Sequence, residues 1–388
     1  MTVALQSPSA DTDLSGVATI LLAGGKGTRL HELTVAESKP AVFFAGANRI
    51  IDFSMANAAR AGLSSLIVAT QFAPDTLHAH LPHRWAGHFP QGNLLLRDGR
   101  NAYLGTADAV RRNWAEIEAL GATEILVLAA DHIYEMDYGA LIADHRRSGA
   151  DVTVAVDVVP RAEASGFGVM HARADGRIIA FHEKPANPPS IEGQPDKSLA
   201  SMGIYVFSRA WLQSALAEDE DATDFGHHII PHAVEQGGAN AWRLPPSTAT
   251  GKSYWRDVGT LDALRLAHLD FAAAPPVVLP GPQSGHKWRF GADSIVMPGA
   301  TTSSWVRLSR AIVAPGAKLP PGLVVGEDPL EDRKWFRRTA EGTILITQPM
   351  LDRRAEQRSP TTMVTLRRAS RNTFSPAGLR PAMENRNA

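Results

Sequence analysis

An apolar run that ends abruptly in a glycine-rich turn constrains this chain more than any other feature. Residues 17–23 read VATILLA, and residues 24–30 read GGKGTRL. We therefore predict that Val17–Ala23 is a buried strand and that the glycines form a tight loop before a helix. Glycines let the backbone approach a ligand closely, and unpaired N–H groups in such a loop can hold phosphate. A tight turn without any ligand explains these residues equally well when they are taken alone.

The spacing of the glycines differs from two common phosphate-binding signatures. A Walker loop requires G-x-x-x-x-G-K-[ST], and G-x-G-x-x-G requires a final glycine where this chain has Leu30. A dinucleotide-dependent oxidoreductase also needs an acidic residue at the end of the second strand, where Thr70 and Gln71 stand. Hydride transfer is therefore disfavoured.

Composition limits the class of protein further. Of the 388 residues, 44% are hydrophobic and 20% are charged, which is an ordinary balance for two globular domains. The formal net charge of -1 offers no general argument for a nucleic-acid or membrane partner. The absence of cysteine excludes disulfides, thiolate zinc sites and a cysteine nucleophile. Neither a secretory signal nor an apolar run of about 18 residues is found, so we expect a cytoplasmic protein.

Predicted strands and helices alternate through the first two thirds of the chain. Ser65–Thr70 and Glu124–Ala130 are apolar enough to be buried strands, and Tyr138–Ser148 has the pattern of a helix. Asp52 is expected to cap another helix. Because apolar strands that alternate with helices are typical of parallel sheets covered on both faces, the predicted fold class is α/β.

The pattern changes in the later part of the chain. Asp175-Gly176 between two apolar runs predicts a hairpin. After a linker at 273–276, residues 294–326 carry short apolar pieces broken by Pro-Gly in units of about six residues, which predicts a coil or two of a β-helix. An irregular β extension is the alternative. Residues 1–15 are expected to be disordered, and residues 352–388, with eight arginines and three acidic residues, are expected to form a disordered basic tail.

Polar residues stand where the predicted strands end, and ligands of parallel sheets bind at those ends. Four such residues are Arg29, Gln71, Asp131 and Lys184. A glycine loop with nearby cations can take a polyphosphate, and Asp131 with Asp257 could hold Mg²⁺. This combination favours phosphoryl or nucleotidyl transfer. The simpler alternatives are that Asp131 caps a helix and that Lys184 is a solvated loop residue.

Three other features are not assigned to a site. Asp224-Phe225-Gly226 resembles a kinase signature, but no His-Arg-Asp precedes it at a suitable distance. His227 and His228 are adjacent, and adjacent helical residues do not face together, so we do not predict that they share a metal. Trp255 is interpreted as a packing residue rather than a platform for a sugar.

A series of segments over about residues 15–272 resembles the glucose-1-phosphate adenylyltransferase family of bacteria. They read, in the family's order, LLAGGKGTRL, KPAVFF, RIIDFSMAN, GTADAV, DHIYEMDY, SGADVTVAV, GFGVM, EKPANPP, PDKSLASMGIYVF and YWRDVGT. VVGED and EGTILITQPML are similar to the end of the family's C-terminal domain. The resemblance implies a Rossmann-like nucleotidyltransferase domain with a mostly parallel sheet over 16–272. It also implies a shortened left-handed parallel β-helix over 277–350.

The resemblance also implies a reaction, in which ATP and glucose 1-phosphate give ADP-glucose and pyrophosphate with Mg²⁺, for glycogen biosynthesis. Residues that match the family's motifs then acquire expected roles. Those expected to be catalytic are Arg29, Lys39 and Asp131, and those expected to bind nucleotide are Gly24, Gly25 and Gln71. Those expected to bind glucose 1-phosphate or ADP-glucose are Tyr103, Gly168, Glu183, Lys184 and Ser201. Asp131 and Asp257 are expected to bind the metal, and the family's usual tetramer implies a homo-oligomer.

Departures from the family's pattern concern regulation. The family's sugar-phosphate activator site uses basic residues just before KPAV and a histidine just after, but this chain has Ala36, Glu37 and Phe43 there. Ala119 stands where an arginine for AMP inhibition is expected. We therefore expect catalysis to be kept and control by fructose 1,6-bisphosphate and AMP to be weakened or lost. The alternatives are a non-catalytic regulatory paralogue and a pyrophosphorylase that uses another nucleoside triphosphate.

Overall fold

A computed structural model of the chain describes residues 12–90, 92–100, 102–246, 251, 253–272, 274–281 and 287–358. The predictions of disorder for residues 1–11 and 359–388 lie outside these ranges. Within the predicted disordered N-terminus, Leu14 is buried in the core. The predicted tail from residue 352 is wrong at its start, because the helix Gln348–Arg358 continues through that point. None of the described helices is long and apolar enough to cross a membrane.

The first domain is built on a nine-stranded sheet whose centre is the predicted strand Val17–Ala23. Leu66–Thr70 and Glu124–Ala129 pair with it in parallel on its two sides. Leu94–Asp98 extends the parallel part beyond Leu66–Thr70. Lys197–Ser208 runs antiparallel to Glu124–Ala129 and leads into the rest of the sheet.

The rest of the sheet is mixed. Lys197–Ser208 pairs antiparallel with Val152–Pro160 and with Gly168–Ala172. The predicted hairpin joins Gly168–Ala172 to Ile178–Glu183. Ala239–Arg243 pairs in parallel with Val152–Pro160 at the edge.

Both faces of the sheet are covered, as near-continuous apolar strands require. Leu21 packs with one layer of helices and its neighbour Ile20 packs with the other, because successive side chains of a strand point to opposite faces. The α-helices of the described residues are Ile51–Arg60, Asp75–Trp85, Thr106–Arg112, Trp114–Ala119, Tyr138–Ser148, Arg209–Glu218, Ile230–Glu235, Leu261–Asp270, Pro329–Trp335 and Gln348–Arg358.

Two helix starts show how far capping can be predicted. Tyr138–Ser148 has the predicted bounds, because the Asp137 carboxylate accepts from the Ala140 N–H and Gly149 ends the helix with φ 63°. The prediction that Asp52 is a cap is wrong. Asp52 lies in the first turn of Ile51–Arg60, is fully buried and accepts from the Arg49 N–H at 2.8 Å.

Residues 294–346 form the predicted β-helix. Its first face is the parallel ladder of Ser294–Val296, Ala311–Val313 and Ile344–Ile346. The second face pairs Thr301–Thr302 with Lys318–Leu319, and the third pairs Arg307–Leu308 with Val324–Val325. An offset of 17 residues separates the partners of the first two coils on all three faces, as in Ile295 and Ile312. Ala311 and Ile344 are 33 residues apart because the helix Pro329–Trp335 comes between them, and Ile344–Ile346 begins a third coil.

The two domains share one hydrophobic core. Leu30, Val42 and Phe44, from the segment that follows the glycine loop, pack with Ile295 and Leu345 of the β-helix. A bidentate ion pair joins Arg337 of the β-helix to Glu32 of the same segment, with both N–O distances 2.6 Å. The β-helix therefore supports the segment that carries Lys39.

Candidate active site

A cavity of about 460 Å³ opens where the central strands end, as ligand sites in parallel sheets do. Its wall includes most of the residues predicted for the site: Gly24, Gly25, Arg29, Lys39, Gln71, Tyr103, Asp131, Glu183, Lys184 and Asp257. Gly168 and Ser201 are not part of that wall.

The glycine loop is shaped by its contact with Lys39. Gly27 has φ 65°, and a Cβ placed there would lie 2.6 Å from the Lys39 Cβ, so only glycine fits. A Cβ at Gly24 would lie 3.1 Å from the Gln71 Cβ. A Cβ at Gly25 would meet nothing within 4 Å, so this backbone stays open toward a ligand.

Lys39 lies between two carboxylates that are far from it in sequence. Its buried Nζ donates to the Asp131 carboxylate at 3.0 Å and to the Asp257 carboxylate at 2.6 Å. Its backbone N–H donates to the Gly25 carbonyl at 3.2 Å. Burial lowers the pKa of Lys39, but the two carboxylates outweigh burial and raise this pKa above its usual value.

The charges of Asp131 and Arg29 complete this cluster. Burial raises the pKa of Asp131, but the Lys39 ammonium holds it well below its usual range, so the carboxylate is ionised at neutral pH. Arg29 reaches Asp257 at 3.6 Å and keeps a largely exposed side chain. The cavity therefore places two cations and two anions where a charged substrate would enter.

Asp131, His132 and Asp257 form a candidate metal site, because each offers a ligand atom within 4.8 Å of the others. The His132 Nδ1 is buried and has no hydrogen-bond partner among the described residues. Carboxylate oxygens are the ligands that Mg²⁺ prefers in proteins. The donor set therefore fits a divalent cation, with the Lys39 ammonium neutralising the same carboxylates here.

The opposite side of the cavity holds Glu183 and Lys184. Lys184 has φ 45°, a left-handed conformation that costs a non-glycine residue roughly 1 kcal/mol or more and that clusters at functional sites. Its N–H donates to the Phe167 carbonyl at 3.0 Å, and its ammonium contacts the Glu183 carboxylate.

The two predicted residues outside the wall lie directly behind it. A Cβ at Gly168 would lie 2.4 Å from the Phe181 ring and 2.9 Å from a Glu183 oxygen, so this glycine leaves room for Glu183. The buried Ser201 hydroxyl accepts from the Gly203 N–H at 3.2 Å, and Gly203 lines the cavity. Both residues therefore adjoin residues of the wall without lining the cavity themselves.

Asp224 lines the cavity, although it was not among the residues predicted for the site. It accepts from the N–H groups of Gly226 and His227 at 2.9 and 3.1 Å and from the Thr106 hydroxyl at 3.1 Å. Burial raises the pKa of Asp224, but the His227 hydrogen bonds outweigh burial and lower it. A Cβ at Gly226 would lie 2.5 Å from a Glu183 oxygen. Asp224 and Glu183 thus present two carboxylates on one wall.

Gln71 is held in a single orientation. Its Nε2 donates to the Tyr103 carbonyl at 2.6 Å, and since a carbonyl can only accept, the Gln71 Oε1 remains as an acceptor. The Tyr103 hydroxyl accepts in turn from the Asn113 amide at 2.9 Å. Trp255 is buried beside His132 and Phe167, in keeping with its interpretation as a packing residue.

Comparison with known proteins places the chain in a family. The nucleotidyl transferase family model matches residues 18–273, and a GlmU-like C-terminal hexapeptide model matches residues 286–346. A glucose-1-phosphate adenylyltransferase of Jannaschia sp. (strain CCS1) is 37% identical over 403 residues, which cover 87% of this chain and 96% of the relative. That of Rhizobium meliloti (strain 1021) is 40% identical over 401 residues, with 86% and 96% covered.

A third relative of the same name, from Bradyrhizobium diazoefficiens, is 39% identical over 401 residues, with 86% of this chain and 96% of the relative covered. Because 401 aligned positions correspond to only 86% of 388 residues, the relatives carry segments that this chain lacks. The similarity nevertheless extends through both domains, and the chain belongs to the glucose-1-phosphate adenylyltransferase family of nucleotidyl transferases.

Proposed function

We propose that the protein makes ADP-glucose and pyrophosphate from ATP and glucose 1-phosphate. A phosphate oxygen of the sugar phosphate would attack the α-phosphorus of ATP, and the bond from that phosphorus to the pyrophosphate oxygen would break. Such a reaction depends on positioning and on neutralisation of charge. The observation that carries the proposal is the cluster of Lys39, Asp131 and Asp257 between the glycine loop and the Glu183–Lys184 wall.

The nucleotide would lie along the glycine loop. Gly24 and Gly25 offer open backbone, and Arg29 and Lys39 would neutralise the triphosphate and the leaving pyrophosphate. The fixed Gln71 Oε1 is an acceptor suited to the exocyclic amine of adenine, whereas uracil and thymine present a carbonyl at the equivalent edge. This orientation supports ATP as the nucleotide.

Asp131 and Asp257 would hold Mg²⁺, which when bound would neutralise phosphate charge. The metal and the Lys39 ammonium would claim the same carboxylate oxygens. Lys39 is therefore expected to turn toward the phosphates in the loaded enzyme, from a backbone held in place at Gly25.

The sugar would lie against the opposite wall. Lys184 would pair with the phosphate of glucose 1-phosphate, and Glu183 would accept from sugar hydroxyls. Tyr103 would close this side, while Gly168 and Ser201 would act from behind the wall. Asp224 adds a second acceptor for hydroxyl groups, beyond the residues that the sequence indicated.

The biological setting follows from the same proposal: glycogen biosynthesis in the cytoplasm by a homo-oligomer. Control by fructose 1,6-bisphosphate and AMP would be weak. A cleft of about 480 Å³ between the domains is lined by Ala36, Glu37 and Phe43, with Glu32 as a second carboxylate and Arg353 as a cation. Carboxylates disfavour a phosphorylated ligand, which supports the loss of that control.

The test is pyrophosphate release from glucose 1-phosphate with ATP, UTP, GTP and dTTP in turn, with Mg²⁺. We expect turnover with ATP, its loss in Asp131→Asn, and in Asp224→Asn a KM for glucose 1-phosphate raised about tenfold with the KM for ATP unchanged. Turnover with another nucleotide alone would replace ATP in the proposal. A folded protein that binds ADP-glucose but turns over none of the four would refute catalysis and favour a non-catalytic paralogue.

A further inference from the structure

The Arg49 guanidinium contacts the chain on both sides of Lys39. Its Nη1 donates to the Glu37 carboxylate at 3.2 Å and to the Ala41 carbonyl. These partners lie two residues before and two residues after Lys39 in the chain. A single guanidinium therefore spans the short helical turn Lys39–Ala41.

The backbone of Arg49 is itself held by further hydrogen bonds. Arg49 pairs with Phe43 in a two-stranded ladder, and its N–H donates to the buried Asp52 carboxylate at 2.8 Å. Asp52 is fixed in turn by His80 and Trp85, each at 2.7 Å. The base of the Arg49 side chain is thus tied to the helix Asp75–Trp85 as well as to its own hairpin.

The environment of the guanidinium strengthens these contacts. The Arg49 side chain is only 13% exposed, and its guanidinium carbon lies 4.3 Å from the centre of the Phe43 ring. A partly desolvated cation over an aromatic face and beside a carboxylate is held more tightly than an exposed one. A lysine has a shorter side chain without a planar group to lie over the Phe43 ring, so its ammonium would reach the two acceptors less well.

Within the described residues, Arg49 and Lys39 supply the side-chain hydrogen bonds of this turn, which is otherwise held by backbone hydrogen bonds and by the burial of Pro40 and Ala41. The Ser38 side chain, at the N-cap position, makes no capping hydrogen bond, and its hydroxyl is buried without a partner in the described part of the chain. The Lys39 backbone N–H bonds to the Gly25 carbonyl, which links the turn to the glycine loop. Loosening the turn would therefore displace both the Lys39 ammonium and the loop.

We propose that Arg49, held by Glu37, is a positioning residue that sets the Lys39 turn for nucleotidyl transfer. The catalytic part of this inference rests on the function proposed above. Arg49 is not part of the cavity wall, so it acts through Lys39 and not on the substrate. Within the described residues Arg49 bonds to Glu37 and Ala41, whereas Lys184 pairs with Glu183, so the binding of glucose 1-phosphate should not depend on Arg49.

The experiment compares Arg49→Lys, Arg49→Ala and Glu37→Gln with a matched control, Arg307→Lys. Arg307 makes a similar pair with Glu327 at 2.8 Å, but on the exposed surface of the β-helix. We expect kcat to fall about tenfold in Arg49→Lys and further in Arg49→Ala, because displacements of about 1 Å cost up to about 100-fold in rate. The KM for ATP should rise, the KM for glucose 1-phosphate should stay constant, and Arg307→Lys should match the wild type.

Chemical rescue separates positioning from folding. Added guanidinium at millimolar concentration should restore part of the kcat of Arg49→Ala and should not affect the control. Glu37→Gln, which keeps an acceptor of the same size, should lose about two- to threefold in kcat and provides the milder variant if Arg49→Ala does not fold. Unchanged kcat in folded Arg49→Lys and Glu37→Gln, or a loss of kcat equal to the loss of folded protein, would overturn the positioning role.

A second readout does not require activity. Acylation of Lys39 by a lysine-specific reagent, followed by peptide mass spectrometry, should be at least severalfold faster in Arg49→Ala or Glu37→Gln than in wild type. Equal labelling rates in folded proteins would overturn the inference whatever the activity. Lys39 could label faster in these variants while the wild type turns over no nucleotide. That result would support the contact between Arg49 and the Lys39 turn and would reject the proposed function.

Discussion

Lys39→Met should destabilise the protein without metal and tighten its binding of Mg²⁺. The substitution removes the ammonium that lies 3.0 Å from Asp131 and 2.6 Å from Asp257 and leaves these carboxylates facing each other. Breaking a buried ion pair by deleting one partner costs about 3–5 kcal/mol. Asp131 is 32% exposed and Arg29 still approaches Asp257 at 3.6 Å, so we expect about 2–3 kcal/mol here.

Mg²⁺ should recover this loss, because a divalent cation can neutralise the same two carboxylates. In the wild type the metal must displace Lys39, whereas in Lys39→Met it meets no competitor. If the displacement costs about 1.4 kcal/mol, the variant binds Mg²⁺ about tenfold more tightly. The kcat should nevertheless fall about 100-fold or more, since Lys39 is proposed to neutralise the phosphates.

The assays are thermal or urea unfolding with and without Mg²⁺, calorimetric titration with Mg²⁺ and pyrophosphate release with ATP. Lys184→Met is the control, because Lys184 is a cation of the same cavity but its side chain is 61% exposed and pairs with Glu183. It should leave stability and Mg²⁺ affinity unchanged and raise the KM for glucose 1-phosphate. If Lys39→Met unfolds like the wild type and binds Mg²⁺ no more tightly, Lys39 and Mg²⁺ do not compete for Asp131 and Asp257.

Two further predictions concern a glycine and a buried histidine. Gly27→Ala should lose about 2 kcal/mol of stability and most of its activity, because the new Cβ meets Lys39. The control is Gly62→Ala, where φ is 71° and the space around a Cβ is open. It should lose about 1 kcal/mol and keep the wild-type kcat. Burial lowers the pKa of His268 to about 4, so the unfolded chain binds the extra proton between about pH 6.5 and 4 and stability falls as pH falls through that window. At pH 5 this amounts to about 2 kcal/mol, and acid unfolding of His268→Gln followed by circular dichroism should lack that component; an unchanged acid transition would contradict the assignment.

Local sequence was sufficient wherever neighbours in the chain decide the structure. The helix Tyr138–Ser148 begins at the Asp137 cap and ends at Gly149, and all of these groups lie within one segment. The strand Val17–Ala23 was predictable because its apolar run is too short for a buried helix. Asp52 shows the limit, because its partners His80 and Trp85 come from another helix and draw its carboxylate away from the cap role.

The candidate site divides in the same way. The glycine loop and the residues at the strand ends were predictable, because parallel strands bring their carboxyl ends to one edge of a sheet. Asp224 was not predictable, since it lies before a short irregular helix. Its place in the wall depends on hydrogen bonds from the Thr106 hydroxyl and the Gly226 N–H. Gly168 and Ser201 differ from Asp224 in the opposite direction. Their motifs suggested direct contact with a ligand, but tertiary packing places them behind the residues that line the cavity.

The sequence by itself determined the apolar strands, the glycine loop, the β-helix repeats and the chemical types of the side chains, because each depends on residues close together in the chain. The tertiary structure alone decided that Lys39 meets Asp131 and Asp257, which are 92 and 218 residues away. It also decided that Arg49 spans the Lys39 turn and that the β-helix supports the same segment. Contacts of this kind depend on which packed surfaces bury the most apolar area together, and no local pattern encodes that choice.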